Sequence, residues 1–230
     1  MLHLTRRSLL RDAGLAMPLL FLPGCATTGL GGGVPEGLRR LLDISSTRAL
    51  TRLVAQDGFL NDPEARIGLP ARTDDRSAAV LGALLRSAPV QREMTLAINR
   101  AAGEAADRAA PIVYDSIRSL TFSDALGIAR GGPTAATSYL ERSIGDRIIE
   151  AMLPEVGVAM RQFGGNSVLG PVLGAATGID IVGIQRNVTE QAARGLWRAI
   201  GREEAAIRAN PASAGDRLVE AMLTGSQLLS

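Results

Sequence analysis

The chain of 230 residues predicts an all-α fold: a single multi-helix bundle domain behind a cleaved signal peptide and a flexible tether. Three observations carry that expectation. Apolar residues recur at steps of three and four along most of the chain, which is the period of an amphipathic helix. No alternating apolar–polar run is long enough to argue for a sheet. Alanine is abundant, and no residue favours a helix interior more.

The segments follow in order. Residues 1–24 read as an export signal: Arg6, Arg7 and Arg11 form a positive head, Ala13 to Leu22 a short apolar run, and Gly24 a small residue before Cys25. The apolar run is too short to cross the roughly 30 Å hydrocarbon layer, which takes about 20 helical residues. Thr5 to Arg11 resembles the twin-arginine export motif, a receptor-read address. Leu22-Pro23-Gly24-Cys25 resembles the lipobox of bacterial lipoproteins, although Pro23 departs from the usual residue at its position. Cys25, the only cysteine, therefore reads as the acylated residue, because two or more acyl chains anchor a protein stably. The competing reading is an idle thiol in a plainly secreted protein.

Residues 25–37 are small and glycine-rich and read as a tether. The domain is expected over 38–230. Its first face is Leu38, Leu41, Leu42, Leu50, Leu53 and Val54, and its second Val80, Leu81, Leu84 and Leu85, ending near Pro89. Met94, Ile98, Ala101, Ala102 and Ala105 make a third stripe, which Pro111 breaks or restarts. Val113, Ile117 and Leu120 continue it. Thr121 to Asp124 has the capping-box pattern, before a short helix stopped at Gly131 and Gly132. Leu140, Ile144, Ile148 and Met152 step by four until Pro154 interrupts. Asn187 to Glu190 reads as the cap of a long helix with Val188, Ala192, Leu196, Ile200 and Ile207 inward, ended at Asn210-Pro211. Ser213 to Asp216 caps a last short helix through Leu218 and Met222. Residues 164–183 are glycine-rich with Asp180 as the only charge. Their small-residue spacing raises a membrane span, but Pro171 and Asp180 favour a variable loop.

Composition narrows the chemistry. Loss of residues 1–24 removes Arg6, Arg7, Arg11 and Asp12, leaving 22 basic and 22 acidic residues of 25 and 23. The basic tilt belongs to the leader, so charge offers no argument for nucleic-acid binding. His3, the only histidine, leaves too, and every basic side chain is arginine. Ser-His-Asp, Cys-His and Ser-Lys nucleophile systems and Schiff-base lysines are thereby excluded, as are phosphate loops that need a lysine and imidazole or thiolate metal sites. No cofactor is expected. Carboxylate, arginine and hydroxyl chemistry remains.

Two stretches hold the candidates. In "DGFLNDPEARIGLP", residues 57–70, Asp57, Asn61, Asp62 and Glu64 are oxygen donors for a hard cation, but their spacing does not fit the calcium loop. Turn formation, with Phe59, Ile67 and Leu69 tucked inward, is the plainer reading. In "REEAAIR", residues 202–208, Glu204 and Arg208 stand four apart, a helix pair worth about 0.2–0.5 kcal/mol. The expectation there is a solvated face. Glu203 and Glu204 are the alternative catalytic pair, disfavoured because neighbouring helix positions diverge by about 100°.

Together with "NRAAGEAADRAAPIVYDSIRSLTFSDALGIARGG" and "VTEQAARGLWRAIGREEAAIRANP", the first of these stretches resembles the bacterial family DUF4197, a domain of unknown function, from about Leu38 to Met222. The resemblance implies an exported, mostly helical protein and brings no catalytic role. The resulting expectation is a non-enzymatic envelope lipoprotein, tethered through Cys25, facing the periplasm and binding an envelope protein or an apolar ligand. Ala26 after the cysteine favours the outer over the inner membrane. The alternative is a carboxylate-dependent hydrolase of cell-wall or glycan material, which needs two acids about 5–9.5 Å apart in one cleft.

Overall fold

The structure, a computed structural model, describes residues 28–68, 88–166 and 181–227. Among them are seven α-helices and one 3-10 turn, and no strand. The helices are α1 (Thr28–Leu53), α2 (Gly58–Asn61), α3 (Ala88–Ser119), α4 (Ala125–Ala129), α5 (Ala135–Asn166), α6 (Ile181–Ala209) and α7 (Arg217–Gln227), with the 3-10 turn at Pro211–Ala214. The long helices α1, α3, α5 and α6 pack around one core; α2 lies against α3, and α7 against α1.

The inward stripes explain that packing. Leu38, Leu41, Leu42, Leu50 and Leu53 of α1 are buried, as are Leu140, Ile144, Ile148, Met152 and Val156 of α5. Each large aliphatic side chain taken from water contributes about 1.5–3 kcal/mol. On α3 the corresponding stripe is Ala102, Ala105, Ala106 and Ala109, all fully buried. Small residues on a face permit close approach of a neighbouring helix, and α3 packs most extensively on α5.

Several boundaries differ from the expectation. The helical domain opens at Thr28 rather than Leu38, so residues 28–37 are the start of α1 and not a flexible tether. Val34 and Gly37 already pack on the fold, which favours helix over coil there. Val54 lies beyond the end of α1 and is exposed. Pro111 and Pro154 sit inside the 32-residue helices α3 and α5 and break neither. Both are exposed, as are Asp107 and Glu150 four residues earlier, so the carbonyls deprived of a donor face water.

The α6 helix starts at Ile181, so the Asn187 to Glu190 segment is no cap: Asn187 accepts from Gln191 at 2.6 Å inside the helix, and Thr189 is buried with its Oγ1 donating to the Gln185 carbonyl at 2.8 Å. In the Thr121 to Asp124 segment it is Asp124 that caps α4, accepting from the Gly127 N–H at 2.8 Å. Asp216 caps α7 as expected, accepting from Leu218 and Val219 at 2.8 and 3.1 Å. The helix expected around Val80 to Leu85, Leu69, and residues 167–180 of the glycine-rich stretch lie outside the described residues, as does Cys25. No described helix is long and apolar enough to cross a membrane.

Candidate functional site

The loop after α1 turns on Asp57, which adopts a left-handed conformation (φ 57°) that Asp tolerates better than most residues. Gly58 follows because a Cβ there would stand 2.1 Å from the Arg52 carbonyl oxygen. Phe59 and Ile67 are buried, as the turn reading required, and so is Ala65. The loop is then pinned by two helices. Asn99 of α3 accepts from the Ile67 N–H at 2.9 Å and donates to the Ile67 carbonyl at 3.0 Å, pairing with the backbone as a strand would. Asp57 meets Arg100 at 3.4 Å. From α6, Arg198 donates twice to the Glu64 carbonyl at 2.9 and 2.6 Å, and Arg202 bridges the Asp62 and Glu64 carboxylates.

Asp62 also accepts from the Glu64 and Ala65 N–H groups at 3.0 and 3.1 Å. Burial disfavours its charge, yet the bonds from Arg202 and from those two N–H groups outweigh it and hold the carboxyl below the ordinary aspartate value. The same contact with Asp62, opposed by burial, raises the Arg202 guanidinium above its usual range. Asn61 is exposed at the end of α2. Asp57, Asn61 and Asp62 therefore do not converge as a cation cage, because two of the three are directed at arginines. Among the described residues no group of three acidic, histidine or cysteine side chains comes together.

The "REEAAIR" stretch departs further from its expected role. Glu204 is 0% exposed, and the Arg208 side chain is 10% exposed; they are a buried clip, not a solvated face. Glu204 accepts from the Ala136 and Thr137 N–H groups at 3.0 and 2.6 Å, capping the N-terminus of α5 from a different helix. Arg208 donates to Glu204 at 2.7 Å and to the carbonyls of Ala129 and Ile128 at 2.7 and 3.1 Å. The anion thus meets the positive end of α5 and the cation the negative end of α4, the arrangement that helix dipoles favour. Glu203 points elsewhere, to Arg52 of α1 at 2.6 Å, as the 100° divergence requires. A signal for the burial was present in the sequence. Glu204 and Arg208 continue the four-residue steps of Val188, Ala192, Leu196 and Ile200.

Beside this clip, between the first turns of α5 and the C-terminal half of α6, runs an open groove of about 570 Å³. Thr134, Thr137, Ser138 and Glu141 line one wall; Arg194, Trp197, Arg198 and Arg202 line the other, with Glu64 from the loop. Trp197 is 5% exposed and forms part of the floor. Arg198, Arg202 and Glu64 are committed to the loop, while Glu141 has no ion-pair partner among the described residues, and Arg194 only a 3.9 Å contact with Glu190. Gly195, one turn before Arg198, faces the loop backbone closely: a Cβ would stand 3.0 Å from the Ala65 carbonyl oxygen. Sequence reasoning missed the groove and the bracing residues Asn99, Arg198 and Arg202, since nothing local marks a polar residue that pairs with a distant loop.

These features define an all-helical domain braced by arginine–carboxylate pairs, with a charged groove between α5 and α6. The model of DUF4197, a protein of unknown function, matches residues 32–223, and the chain belongs to that family. No curated protein and no solved structure shows significant similarity to it.

Proposed function

We propose that the protein is an envelope lipoprotein, exported by residues 1–24, anchored through acyl chains on Cys25, and acting as a non-enzymatic binding or structural module that faces the periplasm, with the outer membrane favoured. One observation supports the non-enzymatic part most. The acids that the sequence offered, Asp57 and Asp62 as cation donors and Glu203 and Glu204 as a catalytic pair, are each held by an arginine: Asp57 by Arg100, Asp62 by Arg202, Glu203 by Arg52 and Glu204 by Arg208. Side chains fixed in this way brace a bundle.

The open, charge-rimmed groove with its tryptophan floor is the contact surface in this reading. Its shape suits an extended polar partner, such as a segment of an envelope protein, better than an enclosed apolar ligand. Trp197 is the only tryptophan, so its fluorescence reports the groove directly. Titration of the lipidated protein with envelope extract fractions should shift that emission, and Arg194→Glu should abolish the shift. Emission that no fraction changes would count against the groove. Mass spectrometry of the mature protein tests the anchor separately, through the acyl mass on Cys25.

A second reading, carboxylate-dependent hydrolysis of cell-wall or glycan material, is favoured by a single observation: Glu64 and Glu141 come from different elements and line the same groove. Glu64 is tied to Arg202 at 3.1 Å, which leaves Glu141 as the uncommitted acid. Release of soluble fragments from cell-wall material by the wild type, lost in Glu141→Gln, would establish that reading over the first.

A further inference from the structure

We infer that the helical domain rests directly on the bilayer surface, with α7 and the N-terminal half of α1 as its lipid-facing side. This inference rests on the lipid anchor proposed above. It follows from how little chain separates that anchor from the fold.

Three residue steps lead from Cys25 to Thr28, the first residue of α1. At no more than about 3.6 Å per residue they reach about 11 Å in any conformation. From Thr28 to Gly33 the helix adds about 1.5 Å per residue, or about 8 Å. At Gly33 the chain has already met the fold, because a Cβ there would stand 3.8 Å from Leu218 Cδ1, and one at Gly37 only 2.7 Å from Met222 Sδ. Leu218 and Met222 belong to α7. An acylated Cys25 must stay at headgroup level for its chains to lie in the hydrocarbon, and each headgroup layer is roughly 6 Å thick. The clearance left beneath α7 is then at most roughly 13 Å, about the diameter of one helix. A coil through residue 37, by contrast, would let the domain swing freely.

Exposed cations and an exposed leucine lie on or next to these helices. Arg217 opens α7, is exposed and has no ion-pair partner among the described residues. Helix α4 packs on both α1 and α7 and carries Leu126, 54% exposed, with Arg130 exposed just after it. Cations near an anionic leaflet are each worth about 1 kcal/mol, and an exposed leucine at the interface gains by leaving water. Acids balance these cations: Glu36 and Asp216 pair with Arg39 and Arg40, and Asp124 and Glu220 offset Arg130 and Arg217, so the short link and not net charge carries the placement.

The test uses the lipidated full protein in vesicles of phosphatidylethanolamine and phosphatidylglycerol. Acylation consumes the sulfur of Cys25, and the chain has no other cysteine, so a nitroxide goes only to an introduced one. Ala221→Cys and Thr224→Cys place it at exposed positions of α7, and Arg147→Cys places it at an exposed position of α5, which packs chiefly on α3 and α6. Collision with a water-soluble nickel chelate should fall several-fold on vesicles at 221 and 224, but not at 147. A twenty-residue Gly-Ser insertion after Ala26 should restore it. Equal access at all three positions, with acyl chains confirmed on Cys25, overturns this inference alone; protection that survives the insertion overturns the short link as its cause. A Cys25 without acyl chains overturns both the inference and the anchor.

Discussion

Glu204 shows how far position changes the worth of a residue. As a surface i, i+4 pair with Arg208 it would contribute a few tenths of a kcal/mol. Buried, it holds two backbone N–H groups and the guanidinium together. Glu204→Ala should lower unfolding free energy by about 3–5 kcal/mol, since it strands a buried cation. Glu204→Gln, which keeps an acceptor, should lose less. Urea midpoints of the two variants check this, and a loss near the exposed-pair range of about 0–1 kcal/mol for alanine would contradict the burial. Asp62 yields a prediction in pH. Its carboxyl is held below the ordinary value, so it contributes stability that is full above about pH 4 and is lost as pH falls through the lowered pKa. Asp62→Asn should therefore be less stable than wild type at pH 7, and the two melting temperatures should converge in acid. Of the two arginine partnerships, that of Arg208 lay within reach of the sequence through its spacing. That of Arg202 did not, because its partners Asp62 and Glu64 lie 140 and 138 residues away.

At the scale of the element, the apolar stripes were legible and the ends were not. Leu140, Ile144, Ile148 and Met152 are buried as their spacing required. Pro111 was misjudged because a proline's penalty is local, whereas α3 is held by a long buried face from Ile98 to Ile117 that continues through it. That penalty is still present in the folded state. Pro111→Ala should raise stability, by up to about 3 kcal/mol, and chemical denaturation would reveal it; an unchanged or lowered midpoint would mean that the helix has settled around the ring. The Asn187 to Glu190 segment misled for a related reason. The side chains of Asn187 and Thr189 have two local uses, a cap or a bond within the helix, and only the upstream run from Ile181 decides between them. Loop bracing has an element-scale consequence as well. Asn99→Leu keeps the volume near α3 but leaves the Ile67 N–H and carbonyl unpaired, so the loop should lose protection from hydrogen exchange before the long helices do.

For the molecule as a whole, the fold class and family were open to reading because composition and period are properties of every window of the chain. The groove was not. It exists only where α5 and α6 lie side by side, and none of its walls has a signature by itself. Cys25→Ser should move the protein from the membrane fraction to the soluble envelope fraction without changing its helical circular dichroism, since α1 begins beyond that residue. Retention of the variant in the membrane fraction would point to an attachment independent of acylation.

The clip has a consequence for the order in which the chain matures. Glu204 reaches Ala136 and Thr137 from 68 and 67 positions downstream, so the first turn of α5 keeps bare N–H groups until most of the polypeptide has been made. A molecule truncated upstream of residue 204 lacks more than one helix; it is left with an unfinished corner at its centre. Quality control by proteases should accordingly treat such fragments as wholly unfolded, not as a bundle with a missing edge.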